Sequence, residues 1–130
     1  MNLPYTSLLT GLFAILMVVL ALMVSFRRRT MKISLGDGND DILRRRIRAH
    51  GNFAEFAPFG LILLGMIEFN AAPTILVAGL AMALLFSRLL HAIGMTCMTS
   101  VAPRFISSVI QHTAFILGGV WLIVRILAYI

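Results

Sequence analysis

Four long apolar runs, separated by short polar segments, dominate the pattern of hydrophobic and polar positions along the 130-residue chain. Each run is long enough to cross a hydrocarbon core of about 30 Å at the helical rise of about 1.5 Å per residue. The sequence therefore predicts an all-α membrane protein, one domain over residues 1–130, built as a four-helix transmembrane bundle. The predicted spans are residues 5–26, 47–69, 74–95 and 105–128.

The polar segments predict where the helices begin and end. The link Asn70–Pro73 is short, and its proline disfavours helix in the residue before it while fitting the first turn of the helix that follows. In the first loop, the stretch SLGDGNDD predicts a turn, after which Asn39 or Asp40 can cap the second helix. We therefore expect helix two to begin near Asp40, in water, and to carry its arginines through the membrane interface.

Positive charge is concentrated in the first loop. The chain is 60% hydrophobic and only 12% charged, with a net charge of +6, whereas soluble domains are nearer a quarter charged. Two arginine clusters, at 27–29 and 44–48, each lie beside an apolar span. Such clusters orient helices and attract anionic headgroups, and they do not indicate nucleic-acid binding. The positive-inside tendency predicts a cytoplasmic first loop and both termini outside.

A polar stripe extends into the second apolar span. At 100° per residue, Arg44, Arg48, Asn52 and Glu55 fall within about 80° of one another on a helical wheel. Ionisable groups at membrane depth cost roughly 2.5–3.5 kcal/mol each. These side chains are therefore expected to face other helices, to pair, or to line a wet cavity.

A second charged face is predicted on span three, where Arg88 and His91 are three residues apart. Two interpretations remain open. Glu55 pairs with Arg48 or Arg88 only to fix helix order, or the two faces form a pocket at the cytoplasmic end that binds a small zwitterionic or anionic ligand. No second His or Cys lies at metal-ligand spacing on the face of His91, so the sequence predicts no metal site.

Three segments carry a resemblance to a known family. RAHGNFAE, at 48–55, fits the R-A-H-x-N-x-x-E pattern that opens the second helix of the MAPEG family, the membrane-associated proteins in eicosanoid and glutathione metabolism. SRLLHAIGM, at 87–95, is similar to that family's third-helix stretch, and APRF, at 102–105, resembles the loop before its fourth helix. The resemblance covers nearly the whole chain. The short length and the GDG turn at 36–38 look most like the family's small bacterial branch.

The resemblance implies a homotrimer in a bacterial inner membrane, with glutathione held as a co-substrate between neighbouring protomers near the cytoplasmic side. Arginine and asparagine would take its carboxylates or backbone, and glutamate its amino group or an arginine partner. The matching positions, including a supporting arginine and a packing histidine on helix three, are Arg48, Asn52, Glu55, Arg88 and His91. Arg104 is the candidate catalytic residue, because a cation beside the glutathione thiol favours the thiolate.

This chain departs from the family pattern at positions that matter for catalysis. Many active members carry a second arginine where Gly51 stands and a tyrosine where Met95 stands. Isomerase members also carry a tyrosine near the start of helix four, where Ser107 and Ser108 lie here. Both tyrosines of this chain are predicted near the outer face. Thiolate stabilisation would therefore depend on Arg104, with a serine hydroxyl as a second donor.

Two functions remain in contention. The first is a glutathione transferase or peroxidase that acts on small hydrophobic electrophiles dissolved in the bilayer, by attack of the bound thiolate. The second is a trimeric membrane protein that binds glutathione or another small anion without turnover, since it lacks the family's catalytic tyrosine. A four-helix exporter is disfavoured, because that class needs an acid in its first membrane helix and residues 6–26 contain none. The expected partners are further copies of the chain in a homotrimer, membrane lipids and the small hydrophobic acceptor substrate, with no nucleic acid.

Overall fold

Four α-helices form the structure, a computed structural model that describes residues 3–128. Every one of them is long and apolar enough to cross a membrane. This confirms the predicted all-α architecture with four candidate membrane spans. The helices are α1 (Pro4–Met31), α2 (Asp41–Phe69), α3 (Thr74–Thr96) and α4 (Ala102–Leu127).

α2 begins near Asp40 as predicted, whereas α1 and α4 are longer than the sequence predicts. α1 continues through its three arginines to Met31, because arginine is a good helix former whether or not lipid surrounds it. It ends at Lys32, whose backbone is left-handed (φ 55°) and whose N–H contacts the carbonyls of Arg28 and Arg29. α4 begins at Ala102, three residues before the predicted span, with a proline in its first turn.

Asp40 ties the end of α1 to the start of α2. As predicted, it is the N-cap of α2, and its Oδ1 accepts a hydrogen bond from the Leu43 backbone N–H at 2.6 Å. Its Oδ2 also lies 2.7 Å from the Arg27 guanidinium. The Arg27 hydrogen bond, followed by that of Leu43, lowers the pKa of Asp40 below its ordinary value.

Glu68 makes the corresponding connection at the opposite end of the same two helices. α1 has no side-chain cap of its own, since Leu3 precedes it. The Glu68 carboxylate instead accepts hydrogen bonds from the backbone N–H groups of Tyr5 (3.0 Å) and Thr6 (2.8 Å), and from the Thr6 hydroxyl (2.6 Å). A carboxylate here satisfies free N–H groups and complements the positive end of the helix dipole.

The core lies around α2 and α3, each of which packs against all three other helices. Phe13 of α1 and Phe53 of α2 meet edge to face with ring centroids 5.2 Å apart. Gly94 lets α3 approach α4 closely, since a Cβ there would lie 3.1 Å from Pro103 and 3.2 Å from Arg104. Large apolar side chains also cover the outside of the bundle, as a lipid environment or a neighbouring protein surface requires.

Candidate functional site

The polar stripe of α2 lies mainly outside the bundle of a single chain. On the helical wheel, the buried α2 positions such as Phe53 and Leu64 centre roughly 170° away from Arg44. Arg48 and Glu55 are accordingly exposed, and Asn52, at the edge of the stripe, is half-buried. The stripe therefore straddles the boundary between the core and the outer surface of the chain.

Asn52 and Arg88 join α2 to α3 inside the bundle. Arg88 is only 4% exposed, and its Nη1 donates a hydrogen bond to the Asn52 Oδ1 at 2.8 Å. Its guanidinium carbon also lies 5.7 Å from the centroid of the Phe56 ring, a cation–π contact. Within residues 3–128, Arg88 forms no salt bridge, and its buried Nε has no hydrogen-bond acceptor. A neutral amide and an aromatic ring are therefore its partners.

Three arginines from three helices lie within electrostatic range of His91. The positive charges of Arg88, Arg104 and Arg48 all act electrostatically on its ring, which is half-buried on α3. The Nη1 of Arg104 lies 3.6 Å from the Met95 sulfur, and its buried Nε has no hydrogen-bond partner in the described part of the chain. The sequence-predicted residues on α3 and α4 thus form one cationic region at one end of the bundle.

The two serine hydroxyls near the start of α4 already donate hydrogen bonds to the backbone. Ser107 and Ser108 both donate to the carbonyl oxygen of Arg104, at 2.7 and 2.9 Å. Ser107 is also fully buried. In this arrangement their protons stabilise the helix backbone, and neither hydroxyl is free to donate to a thiolate as the sequence suggested.

Glu55 forms no ion pair with Arg48 or Arg88 among residues 3–128. The stripe's first arginine, Arg44, instead pairs with Asp37 at 2.9 Å and with Asp41 at 3.0 Å. The hydrogen bond from the backbone N–H of Asn39, followed by that from Arg44, lowers the pKa of Asp37. The predicted structural ion pair of Glu55 is therefore absent from the described chain.

Sequence reasoning missed one residue at this site. Phe56 directly follows Glu55, and its ring contacts Arg88 as well as His112 on α4, with a ring separation of 6.1 Å. Gln111 is 1% exposed, with no partner for its buried Oε1 among the described residues. It lies seven residues after Arg104, on the same face of α4. The described residues contain no group of three or more His, Cys, Asp or Glu that could hold a metal ion.

Comparisons with known proteins cover most of the chain. The profile of the MAPEG family matches residues 6–124. Inner membrane protein YecN of Escherichia coli strain K12 is 33% identical over 91 residues, which cover 67% of this chain and 70% of YecN. YecN of Escherichia coli O6:H1 matches to the same extent, and no solved structure matches significantly. The four apolar helices and these relatives support an integral inner membrane protein.

Proposed function

The chain belongs to the MAPEG family, and from that premise we propose that it binds glutathione and acts as a glutathione transferase or peroxidase. The acceptors are small hydrophobic electrophiles dissolved in the bilayer. The protein is a homotrimer, with its arginine-rich loop in the cytoplasm and both termini outside. Glutathione lies between neighbouring protomers, near the end of the bundle that holds Arg48 and Arg104.

The buried Arg88 guanidinium is the observation that carries this proposal. A charge at membrane depth is costly unless an opposite charge or several hydrogen bonds compensate it. Arg88 has one hydrogen bond, to the Asn52 amide, and no salt bridge within the described residues. With Arg48 and Arg104 nearby, the site has an excess of positive charge. The two carboxylates of glutathione supply the missing negative charge and the acceptors that guanidinium groups bind well.

The outward position of the α2 stripe supports a site between protomers. Arg48 and Glu55 are exposed on the single chain, beside a long apolar surface. Ionised side chains are unfavourable against acyl chains. A neighbouring protomer over this face shields them from acyl chains and leaves a polar crevice, in which Glu55 binds the glutathione amino group.

Arg104 is the proposed catalytic residue. Its half-buried guanidinium favours ionisation of a nearby glutathione thiol, because a positive charge stabilises the thiolate over the thiol. The thiolate sulfur then forms a thioether bond to the electrophilic carbon, and the leaving group departs with the electron pair. The bilayer contributes by concentrating the hydrophobic acceptor.

Glutathione binding without turnover is the second candidate function. The Arg104 side chain donates a long hydrogen bond to the sulfur of Met95, and a thioether sulfur cannot donate a proton to a thiolate. The serine hydroxyls donate to the backbone instead. If Arg104 alone is insufficient to activate the thiol, the same site would bind glutathione and leave it protonated.

Calorimetric titration of the detergent-purified protein with glutathione tests binding, and the ultraviolet absorbance of the thiolate tests activation. We expect saturable heat and a thiolate signal on mixing. Arg104→Ala should remove the thiolate signal, and Glu55→Ala should weaken binding. Arg29→Ala, an exposed arginine outside the site, is the control that should change neither. No heat at millimolar glutathione would refute both functions, whereas heat without thiolate would select the second.

A further inference from the structure

A cationic cleft lies between the end of α1 and the start of α2, where the apolar spans meet the polar loop. Its volume is about 470 Å³. α1, the loop and α2 all contribute to its walls. The residues that line it are Arg28, Gly36, Asp37, Arg44, Ile47 and Arg48.

The cleft keeps a net positive charge after its internal pairings. Asp37 is its single carboxylate, and it is occupied by the Arg44 Nε at 2.9 Å. Arg28 donates only one long hydrogen bond, 3.3 Å to the Ser34 carbonyl. Arg48 has no hydrogen-bond or salt-bridge partner within residues 3–128. Two guanidinium groups therefore face the cleft without a carboxylate to neutralise them.

A separate apolar groove lies deeper along the same two helices. It has a volume of about 260 Å³, and its lining includes Ala14 and Met17 of α1 and Ala54, Pro58 and Leu61 of α2. Unlike the cleft, it contains no charged side chain in its lining. Its chemistry is that of a site for a hydrocarbon chain.

The cleft and the groove lie on the same side of the α1–α2 pair. Met17 and Arg28 are eleven residues apart, which leaves them about 20° from each other on the helical wheel. Ile47 and Ala54 are seven residues apart and differ by about the same angle. From Arg48 to Leu61, α2 rises by roughly 20 Å. Together the two cavities have the charge distribution of a site for a molecule with an anionic head and an alkyl tail.

We propose that this side of the α1–α2 pair binds one acidic glycerophospholipid, from the leaflet on the side of the arginine-rich loop. The phosphate lies between Arg28 and Arg48, and one acyl chain follows the groove towards Leu61. The net positive cleft selects an acidic lipid over a zwitterionic one, and the groove selects a lipid over free phosphate. This inference does not depend on glutathione binding, although Arg48 contributes to both sites.

Arg28 and Arg29 provide a matched pair for the test, because they are adjacent but only Arg28 lines the cleft. The protein in neutral detergent is titrated with phosphatidylglycerol or phosphatidylcholine, and binding is followed by thermal unfolding and native mass spectrometry. We expect saturable stabilisation by phosphatidylglycerol with one lipid per chain. Arg28→Gln should weaken it by roughly five- to tenfold, as for one lost arginine–lipid contact, and Arg29→Gln should not.

The groove is tested with Ala14→Trp, which fills an exposed part of the groove and leaves the charge unchanged. This variant should also weaken phosphatidylglycerol binding, and glycerol 3-phosphate, which lacks acyl chains, should not stabilise the wild type. Equal losses in Arg28→Gln and Arg29→Gln would show diffuse attraction to a charged surface and overturn the proposal. Equal stabilisation by the two lipids would also overturn the proposal. So would the absence of bound lipid because a second copy of the chain covers the cleft.

Two variants distinguish lipid binding from glutathione binding. Asn52→Asp changes a residue that lies outside the cleft and the groove. It should therefore leave the phosphatidylglycerol titration unchanged while it lowers the affinity for glutathione. Conversely, Arg28→Gln should leave glutathione binding unchanged.

Discussion

At the scale of single residues, the partner of Arg88 determines what the site can bind. A carboxylate in place of the Asn52 amide would neutralise the buried guanidinium, and the bundle would then contain a closed ion pair. The neutral amide supplies one hydrogen bond at 2.8 Å and leaves the charge available. Arg44 differs from Arg88 in this respect, because its two aspartate partners already neutralise its charge.

Asn52→Asp separates a structural role of Arg88 from a ligand-binding role. The new carboxylate should pair with Arg88, so the midpoint of thermal unfolding should be maintained or raised. Glutathione affinity should nevertheless fall by about tenfold or more, because the bound carboxylate loses its positive partner. Thermal unfolding and calorimetric titration measure the two effects. An unchanged affinity would assign Arg88 to structure alone.

Asn52→Ala is the complementary variant. It removes the hydrogen-bond acceptor of a nearly buried guanidinium, and a buried donor left unsatisfied costs about 1–3 kcal/mol. We therefore expect a loss of stability of that size in chemical denaturation, whether or not glutathione is present. If stability is unchanged, another group accepts from Arg88.

Part of this site could be predicted from the sequence, and the rest could not for a geometric reason. A helical wheel correctly groups Arg48, Asn52 and Glu55, but it has no reference direction for the rest of the bundle. The structure supplies that direction, and only Asn52, at the edge of the stripe, reaches Arg88. Contacts between two helices, such as that of Phe56 on α2 with His112 on α4, cannot be read from the periodicity of one helix.

At the scale of the helices, hydropathy predicted the four elements but not the bonds between them. Apolar length alone is sufficient to identify a membrane span, and the helix two N-cap also follows from local sequence. The partners of Arg27 and Glu68 do not, because each lies on or next to another helix, 13 residues and more than 60 residues away in the chain. These two bonded ends hold α1 against α2.

The two glutamates of the chain should differ in their effect on stability. Glu68→Ala removes three hydrogen bonds at the start of α1, and loss of a helix N-cap costs about 0.5–2 kcal/mol. Glu55 has no ion pair within the described chain, so Glu55→Ala should change the stability of the subunit far less. Chemical denaturation in detergent compares the two variants. Equal losses would contradict the capping role of Glu68.

The Arg27–Asp40 pair should make stability depend on pH. The pKa of Asp40 is lower in the folded protein than its ordinary value, so the ionised carboxylate stabilises the fold fully above the unfolded pKa of about 3.9. That stabilisation is lost as the pH falls through the lower folded value. Asp40→Asn should therefore unfold at a lower temperature than wild type at neutral pH, and the difference should shrink below about pH 4. A difference that is constant with pH would exclude this linkage.

At the scale of the whole molecule, the surface of one chain is incomplete. Charged side chains of the α2 stripe share it with exposed large apolar residues, such as Phe59 and Ile62 on the same helix. No single environment suits both, since lipid disfavours the charges and water disfavours the apolar groups. An assembly in which protomers cover the deeper part of the stripe, at Asn52 and Glu55, and leave the apolar surface to lipid resolves this conflict.

The proposed homotrimer should appear in native mass spectrometry at three times the 14.3 kDa subunit mass. A spin label at Glu55→Cys, in a Cys97→Ser background, then reports what covers the stripe. In the assembly, the label should be less accessible to oxygen, which dissolves in the bilayer, than in subunits dissociated by detergent. A monomeric mass, or a label equally open to oxygen in both states, would place Glu55 against lipid. The site between protomers would then be lost, because the carboxylate proposed to bind the glutathione amino group would face the bilayer.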